Sequence, residues 1–132
     1  MTQRTEALKG IITPEMEEAA RHEGIDPEVI RKGLAEGTIA LPKNATKTLE
    51  HVRAVGKGLK TKINANIGSS PYHMCMAEEI DKLHAAVRYG ADAVMDLSLG
   101  SEIIEIRREI IRQSPVMVGT VPIYQTAFEL SS

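Results

Sequence analysis

Three short apolar runs, separated by two amphipathic stretches, constrain the fold of residues 59–132 more than any other feature. The first is Lys62-Ile63-Asn64-Ala65-Asn66, the second Ala93-Val94-Met95-Asp96-Leu97, the third Val116-Met117-Val118-Gly119 after Pro115. Between them, residues 77–89 place Ile80, Leu83, Ala86 and Val87 on one helical face, ended by Gly90. Residues 101–112 align Ile103, Ile106 and Ile110 in the same way. Strands joined by one helix each run parallel, because a hairpin has no room for the helix. Apolar runs without strict alternation predict strands covered on both faces. Two architectures fit: an open doubly wound sheet, or the first βαβαβ units of a (β/α)8 barrel. A barrel takes roughly 250 residues, and this chain has 132. The last residues, Phe128 to Ser132, fall where a third helix is due, so the sequence reads as an incomplete barrel and a piece of a larger molecule.

Residues 1–58 have a different grammar and predict a separate N-terminal helical region. Thr13-Pro14-Glu15 combines an N-cap, a proline at the first helical position and an acid in the first turn. Gly24 stops that helix after Glu23. Asp26-Pro27-Glu28 and Gly37 repeat the signals, with Ile30 and Leu34 as the apolar stripe. A short extended piece, residues 38–41, ends at Pro42, and residues 43–58 read as a surface connection closing on Gly56 and Gly58.

Composition narrows the function. No run approaches the roughly 18 apolar residues of a membrane span, and MTQRTEALKG has no apolar core behind its charges, so no secretory signal is expected. A cytoplasmic protein follows from this reading. The net charge of −2 favours neither nucleic acid nor an anionic membrane as partner. Aromatics at 3% leave no stacking platform for single strands. One cysteine, Cys75, excludes an internal disulfide and any site built from several thiolates of this chain.

In parallel α/β folds, ligands sit at the carboxyl ends of the strands. Asn64 and Asn66, then Asp96 and Ser98, then Tyr124 and Gln125 fall there. An Asn side chain donates and accepts, and orients a base or sugar without adding charge. The same residues also serve as caps and loop acceptors. Asp96, inside an apolar run, is either a buried base or an acceptor for N–H groups of the next loop. Gly68-Ser69-Ser70 is a weak phosphate-cradle signal, and His73 with Cys75 is two ligands short of a zinc site. His84, beside its helix's apolar face, is expected to pack, and Met95 to fill core. No hydrolase triad, Cys-His pair or carboxylate pair is present, so no catalytic or metal residue is assigned.

Three stretches taken together are specific. Lys62-Ile63-Asn64-Ala65-Asn66-Ile67-Gly68, Gly90-Ala91-Asp92-Ala93-Val94-Met95-Asp96-Leu97-Ser98, and Ser114-Pro115 leading to Gly119-Thr120-Val121-Pro122-Ile123-Tyr124-Gln125 resemble the start of the phosphomethylpyrimidine synthase (ThiC) family of thiamine biosynthesis. Thr13-Pro14-Glu15-Met16 fits the same family. The resemblance extends to the 5-hydroxybenzimidazole synthases of cobamide biosynthesis. It implies a (β/α)8 barrel behind an N-terminal region. It implies a radical lyase that uses S-adenosylmethionine and a 4Fe-4S cluster to convert 5-aminoimidazole ribotide to 4-amino-5-hydroxymethyl-2-methylpyrimidine phosphate.

The resemblance also implies a homodimer, cluster cysteines near the C-terminus and a further divalent metal, zinc, on later strands. This chain holds none of those ligands and is expected to be inactive alone, with only weak ribotide binding. By motif match, the ribotide-binding residues fall on Asn66, Met95 and Tyr124. Leu99 and Met117 depart from the usual Thr and Pro, which leaves the benzimidazole product open. A split enzyme or a non-catalytic binding module are the other readings.

Overall fold

The computed structural model describes residues 2–44, 47 and 49–131, and it is a mixed α/β chain. It divides into two compact units, Met1–Lys62 and Ile63–Ser132.

The first unit holds α1 (Gln3–Leu8), α2 (Pro14–Glu23), α3 (Pro27–Glu36), β1 (Ile39–Ala40) and β2 (Val55–Gly56). Both expected caps form. The Thr13 hydroxyl accepts the Met16 N–H, and the Asp26 carboxylate accepts the Glu28 N–H at 2.8 Å. Gly24 and Gly37 end their helices in the left-handed conformation at φ 75° and 79°. Helix α1 has no counterpart in the sequence reading, and Thr2 caps it by accepting the Thr5 N–H.

The segment read as a surface connection is partly core. Val52 and Ala54 are buried, and β2 pairs antiparallel with β1, Ile39 opposite Gly56. The two-residue alternation of Val52 and Ala54 turns these side chains inward. Met16, Ile30, Ala19 and Leu34 complete the core they join. Fully buried Met16 and Ile30 each stabilise by about 1.5–3 kcal/mol. Two ion pairs tie this unit together. Lys62 Nζ lies 2.6 Å from Glu23 Oε1, with both side chains almost fully buried, and the Lys60 N–H donates to Glu23 Oε2 at 2.7 Å. Lys43 pairs with Glu15, which also accepts from Gln3.

The second unit holds β3 (Asn64–Ile67), α4 (Met76–Arg88), β4 (Ala93–Asp96), α5 (Ile103–Gln113), β5 (Met117–Thr120) and α6 (Pro122–Ser131). The three strands form one parallel sheet in the order β3-β4-β5. Among the described residues the sheet is open, with no closed barrel. Ala65, Ile67, Val94 and Val118 point to one face and meet Leu83 of α4 and Ile106 and Ile110 of α5. Covering on both faces is therefore not what the structure has. Asn64 and Asn66 on the other face are exposed, and burial alternates along β3 and β4. The third helix, due beyond the third strand, begins already at Pro122, whose fixed φ suits the first helical turn. Among the described residues no helix is long and apolar enough to cross a membrane.

Candidate functional site

Strand register sets the geometry. Asn66 pairs with Met95, and Met95 with Gly119. Side chains in register across a parallel sheet share a face, and alternate residues along a strand change face. Asn66, Met95 and Gly119 therefore form one row on the face that α4 and α5 leave uncovered, one residue short of the carboxyl ends of the strands. A Cβ on Gly119 would lie 2.9 Å from both Sδ and Cε of Met95. The missing side chain gives the Met95 thioether room to lie across β5. Asn66 is exposed and Met95 half-buried, so the row combines an amide with an apolar wall.

Tyr124 lies in the first turn of α6, 40% exposed, four residues beyond the end of β5. Asn66 and Met95 are 29 residues apart, as are Met95 and Tyr124, and only the first two are strand-register partners. Gly119, not Tyr124, is the register partner of Met95. Tyr124 follows the carboxyl end of β5 in sequence, on the helix that starts two residues after that strand.

Hydrogen bonds stitch the loops above β3 and β4 together. The Leu97 N–H donates to the Ile67 carbonyl and the Leu99 N–H to the Ser69 carbonyl. The Ser69 N–H donates to Ser98 Oγ at 3.2 Å, and Ser69 Oγ donates to the Leu99 carbonyl. Gly68 carries φ 145°, and a Cβ there would meet the Leu97 carbonyl carbon at 2.6 Å. The loop N–H groups of Ser69 and Ser70 are consumed internally, Ser70 by the His73 carbonyl, so they do not form a phosphate cradle.

Asp96 is fully buried on the helix-covered face, away from the row. Its Oδ1 accepts the Ser98 N–H at 2.9 Å, as the loop-acceptor reading expects. Its Oδ2 accepts from Arg107 Nε at 3.1 Å, and Arg107 Nη1 donates to Gln125 Oε1 at 2.9 Å. Sequence reading missed Arg107. It sits beside the Ile103–Ile106–Ile110 stripe, and a buried Asp in a neighbouring strand was the one available sign that it needed a cation. Asp92 was missed as well. Its Oδ2 accepts the Ile63 N–H at 3.0 Å and fixes the start of β3 beside β4.

The remaining candidates lie elsewhere. His73 bonds Glu78 at 2.7 Å on the surface, and Cys75 precedes α4 as its N-cap without a side-chain cap bond. His84 is exposed, so it does not pack. Glu79 is buried, ion-paired with Lys82, and its Oε2 has no hydrogen-bond partner among the described residues. An open groove between α4 and α5 includes Ile80, Asp81 and Glu109. Hydrogen bonds from Arg112 and Gln113 hold the Glu109 carboxyl down to about 2. The described residues contain no group of three or more His, Cys, Asp or Glu side chains able to hold a metal ion. A 4Fe-4S cluster asks for several thiolates; the one cysteine here does not fit it.

The profile of the Radical SAM ThiC family matches residues 2–132. A phosphomethylpyrimidine synthase of Desulfitobacterium hafniense is 55% identical over 125 residues, which is 95% of this chain and 29% of the relative. Those of Thermoanaerobacter sp. and Dehalococcoides mccartyi are 50% and 48% identical over 129 residues, 98% of this chain and 30% of each relative. The chain spans about 30% of the length of these curated relatives. With the match covering nearly every residue, including all three strands, the chain belongs to the Radical SAM ThiC family.

Proposed function

We propose that this chain is the opening part of a (β/α)8 barrel in a phosphomethylpyrimidine synthase, and that its uncovered sheet face holds 5-aminoimidazole ribotide. The domain division follows the same reading: residues 1–58 are the N-terminal helical region, and 59–132 supply the first three barrel strands. The observation that carries the proposal is the in-register row Asn66, Met95 and Gly119 on the helix-free face. In a barrel the helices lie outside and the opposite face lines the interior, with ligands at the carboxyl ends. Asn66 donates to and accepts from the ribotide, Met95 gives an apolar wall, and Tyr124 adds a ring face and a hydroxyl. These residues bind and orient. S-adenosylmethionine, the 4Fe-4S cluster and a divalent metal such as zinc belong to other parts of the complete cytoplasmic enzyme. The chain alone is inactive as a lyase.

The departures Leu99 and Met117 do not argue for the benzimidazole product. Leu99 enters the stitched loop through its backbone N–H. Met117 pairs with Ala93 at the far end of the strands, two residues below the Asn66 row, or about 6.6 Å.

Nuclear magnetic resonance titration of the chain with 5-aminoimidazole ribotide tests the reading. Shifts should concentrate at Asn66, the Met95 methyl and Tyr124, with a Kd in the millimolar range, about −4 kcal/mol. Asn66→Ala should weaken binding by about 1–3 kcal/mol. Shifts spread over the α4–α5 face, or an unchanged Kd in Asn66→Ala, would reject the site.

A further inference from the structure

We infer that Arg107 is a positioning residue, which sets the first turn of α6, and with it Tyr124, against the carboxyl end of β4. The inference rests on the reading of Met95 and Tyr124 as ligand contacts. Three elements meet at this guanidinium. Asp96, fully buried at the end of β4, accepts from its Nε at 3.1 Å. Gln125 on α6 accepts from its Nη1 at 2.9 Å. Arg107 itself stands on α5, with its side chain 15% exposed. Asp96 is anchored in turn by the Ser98 N–H, and Gln125 donates onward to Glu129 at 2.8 Å.

Two adjacencies give the relay its consequence. Asp96 follows Met95 on one strand, so the ion pair grips the back of the strand whose front carries the thioether. Gln125 follows Tyr124 on one helix, so holding the Gln125 amide fixes the rotation of that helical turn and the direction of the tyrosine. Helix α6 needs such a tether. None of its described residues is buried, and Ile123 and Leu130 are 69% and 84% exposed. Its apolar contacts come from half-buried side chains such as Phe128, and the Gln125 tether adds to them at the first turn. Only a planar fork serves both acceptors in fixed geometry; an ammonium in its place is a single point charge.

Gln125→Met tests this, because it removes the acceptor while keeping side-chain length and leaving the buried Asp96–Arg107 pair intact; Glu129→Met, which removes only the Gln125–Glu129 bond, is the control beside it. Amide exchange within residues 122–131 should accelerate about tenfold beyond that of Glu129→Met, the loss of the one charge-assisted hydrogen bond to Arg107. Exchange in β3, β4 and β5 and the melting temperature should stay as in the unaltered chain. The millimolar Kd for 5-aminoimidazole ribotide should rise about fivefold, because Tyr124 is no longer held. Gln125→Glu combined with Glu129→Met, which again accepts from Arg107 without facing a second carboxylate, should bring both readouts back to those of Glu129→Met.

Unchanged exchange in α6, or acceleration spread evenly over the whole unit, would overturn the inference. If α6 loosens and the Kd stays put while Asn66→Ala still weakens binding, the positioning role falls and the ribotide site stands. If neither variant moves the Kd while α6 loosens, the site reading falls, and the inference falls with it.

Discussion

Glu23 shows how much one side chain carries. It ends α2, accepts the Lys60 N–H and meets the Lys62 ammonium at 2.6 Å, with both charged side chains nearly inaccessible. Burial pushes its carboxyl pKa upward; the Lys62 and Lys60 hydrogen bonds outweigh that, and the net direction is down. Glu23→Ala strands a buried ammonium and a backbone donor, and should destabilise by about 3 kcal/mol in urea unfolding. Glu23→Gln should cost less, because the amide oxygen still accepts from Lys60. Glu15 is a second case. The Lys43 hydrogen bond, aided by Gln3, brings its carboxyl from 4.5 down to about 2. A folded-state pKa below the unfolded one contributes stability above the unfolded value and loses it as pH falls. Melting temperature should therefore drop between pH 4.5 and about 2, and Lys43→Met should flatten that drop. An equally steep acid limb in Lys43→Met would contradict the pairing.

Helix α3 is packed against β1 so closely that it depends on an absent side chain. Gly33 faces Ile39, and a Cβ there would sit 2.4 Å from Cδ1, 2.6 Å from Cγ1 and 3.0 Å from Cβ of that residue. In an exposed helix interior, Gly→Ala stabilises by about 1 kcal/mol. Here overpacking should win, and Gly33→Ala should destabilise by about 1–3 kcal/mol. A higher melting temperature would show that Ile39 can move aside. What could be read of the elements follows from the range of the forces that make them. Thr13 with Met16 and Asp26 with Glu28 act within three residues, so both helix starts are visible in a short window. The β1–β2 pair is not visible in this way, because Ile39 and Gly56 are 17 residues apart and neither strand exceeds two residues. Helix α6 was hidden by its apolar start, Val121-Pro122-Ile123, which resembles a strand until proline is taken as a first-turn residue.

Taken as a whole, the second unit is a sheet with unfinished business on three sides. Among the described residues, β3 and β5 each pair on one edge, and no helix of this unit covers the Asn66–Met95 face. Unpaired edges recruit further strands. We expect the chain, expressed alone, to form a dimer or larger species in light scattering, held through the open edges of β3 and β5 and leaving the Asn66–Met95 face free. A monomer with a sharp cooperative melt would show that the unit closes its own core. The alternation of three apolar runs with two amphipathic helices was enough to fix parallel strands and their order of appearance. Those properties follow from hydrophobic periodicity and chain length between strands, both of which are local. Periodicity says nothing about which charge meets which. The pairing of Arg107 with Asp96 and Gln125, of Glu23 with Lys62, and of Met95 with Gly119 arises from hydrogen bonds and an ion pair between segments 11 to 39 residues apart. Such bonds depend on folding to bring atoms of distant segments within about 3 Å of each other, and shielding from water then strengthens them.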